Sequence, residues 1–236
     1  MTYRIIIILL ITVSSALGQS VKLEVLEDYL AQSEKVAFHP TAHLSGWKQI
    51  ILVRHGKPDE SLEGWVKRAE TDDFLQRYVT SEVHAIDTAK ILLRPQDIDT
   101  LYSSSLNRAY TTAQLLSNGR FPISKQPVFR EFENKAAAMP NLKLPKGMWL
   151  GTSRILWLLG LNQQGIESHK AARLRSQRAA NELARMAVED DRVILVAHGF
   201  LNRYLDKYLR RQGWYKIHDD GHDYLATKVF VMQVQN

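Results

Sequence analysis

The chain has 236 residues, of which 45% are hydrophobic and 24% charged, so it fits one sizeable globular domain rather than a disordered or fibrous chain. Its formal net charge of +6 favours anionic partners, but no nucleic-acid-binding motif appears and we expect no nucleic-acid partner. Because the chain contains no cysteine, disulfides, thiolate metal sites and a cysteine nucleophile are excluded.

The first eighteen residues have the layout of a secretory signal peptide. One charge, Arg4, precedes an apolar run at residues 5–13, and small residues follow. The run is shorter than the roughly 20 apolar residues that span a bilayer. We therefore expect residues 1–18 to be cleaved before Gln19, leaving residues 19–236 as a single exported domain in the periplasm or outside the cell. A membrane contact is expected only if this segment is retained as an anchor.

Helical and extended patterns alternate along the rest of the chain. Apolar, β-branched segments predict strands at residues 49–53, 99–104, 192–197 and 227–234. Apolar faces at helical spacing predict helices at residues 21–37, 105–116, 167–187 and 200–209, the second capped by Ser105. Strands alternating with helices predict an α/β fold, a three-layer α/β/α sandwich around a mainly parallel sheet. Residues 56–83 and 134–149 are less regular, and we interpret them as insertions over the active face.

The two most apolar strands end in the same way. One is followed by Arg54-His55-Gly56 and the other by Ala197-His198-Gly199. Ligands of open α/β sheets bind beyond the carboxyl ends of the strands, so we expect His55 and His198 on one rim. The backbone N–H groups of a helix that begins there also favour an anion.

Two arginines belong to the same predicted rim. Arg54 precedes His55, and Arg108 lies in the first turn of the helix after the second strand. The guanidinium fork matches phosphate oxygens and stays charged at neutral pH. A neutral histidine is able to attack phosphorus and form a covalent intermediate. This set of side chains predicts a phosphate site with a nucleophile.

These residues occur in an order that resembles the histidine phosphatase superfamily, the phosphoglycerate mutase-like fold. The matching motifs are LVRHG at 52–56, SSSLNRAYTTA at 103–113, FRE at 129–131, GIES at 165–168 and VAHG at 196–199. The Arg-His-Gly motif is weak alone and strong together with the other four. The resemblance covers residues 48–234 and implies the smaller, mutase-like branch of the superfamily.

The resemblance also implies roles for individual residues. His55 becomes phosphohistidine, Arg54 and Arg108 bind the phosphoryl oxygens, and His198 stabilises the transferring group. Glu131 is implied as the general acid and base, with Glu133 as the alternative. No metal and no other cofactor is expected, because the arginines neutralise the charge. Lys57, two residues past the nucleophile, is expected to contact the substrate or its phosphate.

Some positions depart from the family's best-known members. The mutases carry an asparagine six residues after the nucleophile, where this chain has Ser61, and R-H-G-E where this chain has Arg-His-Gly-Lys. The phytase-like branch follows its late histidine with aspartate, whereas His198 precedes Gly199. The chain therefore looks like an exported or membrane-associated subgroup of the smaller branch.

The sequence thus predicts a metal-independent phosphomonoesterase that acts through phosphohistidine on a small phosphorylated metabolite or envelope sugar. Two alternatives stay open: a mutase or phosphotransferase, and a phosphate- or phosphosugar-binding protein without catalysis. The HDDGHD segment at 218–223 fits a turn or a loop that contacts the substrate better than a metal site.

Overall fold

The computed structural model describes residues 46–88, 91 and 98–233, all within one compact unit, Pro40–Asn236. The segment at 1–18, which we expect to be cleaved, and the helix predicted at 21–37 lie outside these residues, and the single domain at 19–236 stays a prediction. The strands are β1 (Lys48–Arg54), β2 (Trp65–Lys67), β3 (Leu101–Ser104), β4 (Ile123–Gln126), β5 (Lys143–Pro145), β6 (Arg192–Ala197), β7 (Tyr215–Asp219) and β8 (Thr227–Met232).

Six of these strands form one mainly parallel sheet, as predicted. The strand order is β4-β3-β6-β1-β8-β7, and the four strands from β4 to β1 are parallel. β8 is antiparallel to both of its neighbours, β1 and β7. Since parallel strands end at the same edge, the residues that follow β1, β3 and β6 come together there.

The helices are α1 (Arg68–Thr80), α2 (Asn107–Ser117), α3 (Lys146–Leu158), α4 (His169–Asp190) and α5 (Gly199–Arg211), with a 3-10 turn at Pro127–Phe129. The predicted cap of α2 was wrong: Leu106 occupies that position, and the Ser104 hydroxyl accepts its backbone N–H at 3.2 Å. α4 has a serine cap, because the Ser168 hydroxyl accepts the N–H of Ala171. None of the described helices is long and apolar enough to cross a membrane.

Helices pack on both faces of the sheet, which confirms the sandwich. Ile50 and Leu52 of β1 are fully buried in one core cluster with side chains of α4 and α5, among them Leu183. Ile51 and Val53 are equally buried and alternate to the other face, where α2 contacts β3 and β6. A strand that is buried on both faces has the uninterrupted apolar sequence seen here.

The two segments interpreted as irregular insertions contain regular structure. α1 and β2 lie in the first segment, and β5 and the start of α3 lie in the second. β2 and β5 form an antiparallel pair, with Trp65 opposite Pro145 and Lys67 opposite Lys143. Strands of three residues are too short to show a period of two, which is why the sequence pattern did not predict them.

Candidate active site

His55 and His198 lie side by side at the carboxyl edge of the sheet. In the register of β1 with β6, Arg54 stands opposite Ala197, and the His55 N–H donates to the Ala197 carbonyl at 2.9 Å. The two imidazole rings are 5.1 Å apart between centroids. Both are buried, with 3% of His55 and none of His198 exposed. Adjacent strands therefore bring together two histidines that are far apart in sequence.

The hydrogen bonds of His55 determine which nitrogen carries its proton. Nδ1 lies 2.7 Å from the Gly56 carbonyl, which only accepts, and Nε2 lies 3.2 Å from Nε of Arg108, which only donates. Nδ1 must therefore be protonated, and Nε2 keeps its lone pair. Burial, with the positive charges of Arg108 and Arg54, holds the pKa of His55 well below its usual value. The ring is thus neutral, and its nucleophilic lone pair is on Nε2, where it accepts the hydrogen bond from Arg108.

Arg108 is buried in the first turn of α2 and is held by the last turn of α1. Its Nη1 donates to the carbonyls of Val79 at 3.2 Å and Tyr78 at 3.4 Å, and its guanidinium lies 5.4 Å from the Tyr78 ring. The Gly56 N–H donates to the Thr112 hydroxyl of α2 at 2.9 Å, which ties the loop after β1 to the same helix. Helix α1 therefore positions the arginine, although its segment showed no such role in the sequence.

Arg54 is positioned by the loop between β7 and β8. Its guanidinium lies 4.4 Å from the ring of Tyr224, and its Nη1 donates to the His222 carbonyl. A side chain at Gly199 would place a Cβ 3.3 Å from Nε of Arg54, so this arginine packs against the start of α5. Its Nε is buried without a hydrogen-bond partner among the described residues. The aromatic ring and the carbonyl together fix the direction of the cation.

His198 lies directly before α5 and is anchored from β3. Its Nε2 is 2.7 Å from the hydroxyl of Ser104, the last residue of that strand. Nδ1 is buried and has no partner within the described part of the chain. Burial lowers the pKa of His198 well below its usual value, and the charges of Arg108 and Arg54 lower it further. Both imidazoles are consequently neutral at pH 7 in the absence of a bound anion.

Glu131 joins the same site at the N-terminus of α5. Its carboxylate accepts the backbone N–H groups of Phe200 and Leu201, both at 3.1 Å, and that of Phe132 at 2.9 Å. Glu133 is oriented differently, since it accepts the N–H of Glu167 and stands 3.7 Å from Arg130. Burial lowers the pKa of Arg108, and the negative charge of Glu131 is among the effects that oppose this shift, so Glu131 acts electrostatically on one of the two arginines of the site.

A cavity of about 560 Å³ opens over these residues. Its lining includes Arg54, His55, Arg108, Glu131 and Glu133, with residues of α1, α3 and α5 around them. Lys57 is exposed and is not among the lining residues, so its contact with phosphate stays a prediction.

Sequence reasoning missed several residues that support this site. Tyr78 and Tyr224 contact the two arginines, but isolated tyrosines carry no pattern. Ser104 and Thr112 belong to the motif at 103–113, yet the sequence did not indicate that Ser104 contacts His198 or that Thr112 accepts the Gly56 N–H. His222 lies in the HDDGHD segment and lines the cavity, which agrees with a loop near the substrate. Among the described residues, no three histidine, aspartate or glutamate side chains are grouped as a metal site requires.

Comparison with known proteins agrees with this architecture. The model of the histidine phosphatase superfamily (branch 1) matches residues 50–235. No curated protein matches the sequence. Among solved structures, mycobacterial hydrolase 1 superposes with a TM-score of 0.50 at 20% identity, covering 78% of this chain and 91% of its own. At this identity the likeness shows the fold alone.

Two phosphatases give slightly lower scores. Mycobacterial glucosyl-3-phosphoglycerate phosphatase Rv2419c has a TM-score of 0.45 at 20% identity, covering 68% of this chain and 78% of its own. A phosphoserine phosphatase from Entamoeba histolytica has a TM-score of 0.46 at 16% identity, covering 79% of this chain and 95% of its own.

The neutral histidines make stability depend on pH. The unfolded chain takes up a proton at each imidazole below about pH 6.5, whereas the folded chain does not until a lower pH. The free energy of unfolding should therefore fall as pH drops from 7 towards 5, by up to about 1.4 kcal/mol per pH unit for each histidine. Urea unfolding at several pH values measures this slope. His55→Ala should reduce it, and the same change at the exposed His84 should not; equal slopes in all three proteins would contradict the assignment.

Proposed function

Because the chain belongs to the histidine phosphatase superfamily, we propose that it hydrolyses a phosphomonoester through a phosphohistidine formed on Nε2 of His55. The observation that carries the proposal is the orientation of this ring, whose lone pair points to the guanidinium of Arg108 and not to the backbone. A structural histidine at a strand end has no need of an unprotonated nitrogen that faces a buried arginine. The same orientation favours catalysis over a protein that only binds phosphate.

In the first step, Nε2 of His55 attacks phosphorus and the bond to the ester oxygen breaks. Glu131 enters this step as the carboxylic acid, having taken up a proton when the phosphoryl dianion binds, and it gives this proton to the leaving oxygen, which departs as an alcohol. Arg54 and Arg108 neutralise the phosphoryl oxygens, which is the contribution that metal ions make in many other phosphoryl transfers. We propose on this ground that the reaction needs no metal ion.

In the second step, water attacks the phosphorus of phosphohistidine and the P–N bond breaks. The Glu131 carboxylate accepts the proton of that water, so inorganic phosphate leaves and both residues return to their starting forms. His198 stabilises the group in transfer, because a bound phosphoryl dianion offsets the lowering of its pKa by the neighbouring arginines. The neutral resting ring then gains a proton and a favourable charge.

Replacing the nucleophile tests the proposal directly. With an aryl phosphate and EDTA present, the wild-type chain should turn over, and His55→Ala should lose about 10⁴-fold or more of kcat/KM, because no covalent intermediate forms. His84→Ala, a matched change at an exposed histidine, should keep the rate. Activity that survives in His55→Ala, or that EDTA abolishes, would contradict this chemistry.

A burst experiment distinguishes the roles of Glu131 and Glu133. Glu131→Gln should lower steady-state turnover by about 10²–10⁴-fold, but an aryl phosphate with a good leaving group should still release close to one equivalent of phenol rapidly. The trapped phosphoenzyme should appear by mass spectrometry as an acid-labile adduct on the peptide that contains His55. Glu133→Gln should retain most of its turnover. The reverse order of the two variants would assign the acid to Glu133.

We also propose that the enzyme acts outside the cytoplasm. The charge pattern and the short apolar run of residues 1–18 support export. The intact mass of the protein recovered from cells that express the full chain tests this, with an N-terminus at Gln19 expected and an intact Met1 contradicting cleavage.

A further inference from the structure

We infer that the cavity contains a second anion-binding subsite, formed by Arg154 and Arg203, and that the substrate is a phosphomonoester with a second anionic group. That group is a carboxylate or a further phosphate. The inference rests on the proposed function, because it assigns the phosphoryl group under attack to Arg54 and Arg108.

The positive charges that line the cavity outnumber the negative charges of its carboxylates and of one bound phosphoryl group. The arginines that line it are Arg54, Arg108, Arg130, Arg154 and Arg203, against the carboxylates of Glu131 and Glu133. The first two flank His55. Arg130 is 3.7 Å from Glu133 and 4.0 Å from Glu167. Within the part of the chain that the structure describes, no carboxylate lies within ion-pair distance of Arg154 or Arg203. With both carboxylates and a phosphoryl dianion counted, the cavity still keeps a net positive charge for a further anionic group.

Arg154 is held rigidly in its position on α3. Its Nη1 donates to the Glu133 carbonyl at 2.9 Å and its Nη2 to the Phe132 carbonyl at 2.8 Å. The guanidinium lies 4.9 Å from the Trp157 ring and 5.2 Å from the Phe200 ring. Each Nη keeps a second N–H that these bonds do not use. A pre-organised fork of this kind loses little entropy when it binds an anion.

Arg203 brings a second positive charge to the same aromatic ring. It lies on the second turn of α5 and its guanidinium is 5.5 Å from the Phe200 ring, which Arg154 also contacts. Both guanidiniums therefore border the part of the cavity around Phe200. Glu131 acts electrostatically on Arg154, but its oxygens already accept three backbone N–H groups. An anionic group of the substrate would supply the hydrogen-bonded counter-charge that these two arginines lack.

Both arginines line the cavity that contains His55, so one molecule is able to reach both sites. The phosphoryl group would lie at the sheet edge, between β1 and α2. The second anion would lie towards α3 and the start of α5. A neutral sugar or alcohol phosphate would leave the second site empty, and an acidic one would fill it.

A matched series of substrates tests the subsite. The probes are ω-carboxyalkyl phosphates with tails of two to five carbons, the corresponding carboxamides, which have the same shape without the charge, and the alkanediol bisphosphates. At the best length, kcat/KM for the carboxylate should exceed that for its carboxamide by about 10- to 100-fold, as expected for charge-assisted hydrogen bonds. Comparing the carboxylates with the bisphosphates identifies which anion the site prefers.

Two variants of α5 distinguish binding at the subsite from a general effect of the protein's net charge. Arg203→Gln should lose most of the preference for the charged tail. Arg211→Gln removes the same charge from the last turn of the same helix, where the residue is exposed, and should retain the preference. Arg203 is itself exposed, so its replacement does not disturb the core.

The outcomes distinguish this inference from the proposed function. Turnover that depends on His55 but is equal for carboxylate and carboxamide at every length would overturn the subsite and leave the phosphatase standing. An unchanged preference in Arg203→Gln would overturn it as well. If the wild-type chain hydrolyses none of the esters, the proposed function fails. Calorimetric binding of the same pairs then tests the subsite, with equal affinities for carboxylate and carboxamide counting against it.

Discussion

The candidate site depends on the pair of hydrogen bonds that holds the imidazole of His55. An acceptor on one side, the Gly56 carbonyl, and a donor on the other, Nε of Arg108, permit a single neutral tautomer. Burial disfavours the protonated ring, and the neighbouring cations disfavour it further. The protein thus maintains a nucleophilic nitrogen at a pH where an exposed histidine is partly protonated. The other features of the site keep these partners in place.

Several elements around the sheet edge hold the side chains of the site in place. The carbonyls at the end of α1 accept from Arg108, the loop after β7 fixes Arg54, and β3 holds His198 through Ser104. Glu131 satisfies the first N–H groups of α5, where a carboxylate is favoured by the free donors of a helix N-terminus. Segments that differ widely in sequence position therefore determine the geometry of one cavity.

The strongest patterns of the sequence predicted the centre of the fold correctly. β1 and β6 are buried on both faces and were clear as apolar runs, and the motif around Arg108 indicated a helix start after a strand. The pairs β2–β5 and β7–β8 were not predicted in full, because their shorter strands are partly exposed and lack a period. The contacts of Tyr78 and Tyr224 arise only from tertiary packing, which no local pattern encodes.

The protonation state of His55 tests the central claim most directly. Nitrogen-15 NMR of the imidazole side chains, with His55→Ala to assign the signal, reports which ring nitrogen carries hydrogen. We expect a neutral His55 protonated on Nδ1 and unprotonated on Nε2, unchanged from pH 7 to well below pH 6 because the pKa is lowered. A His55 protonated on Nε2, or a cationic ring near pH 6.5, would contradict the account, since Nε2 would then have no electron pair for phosphorus.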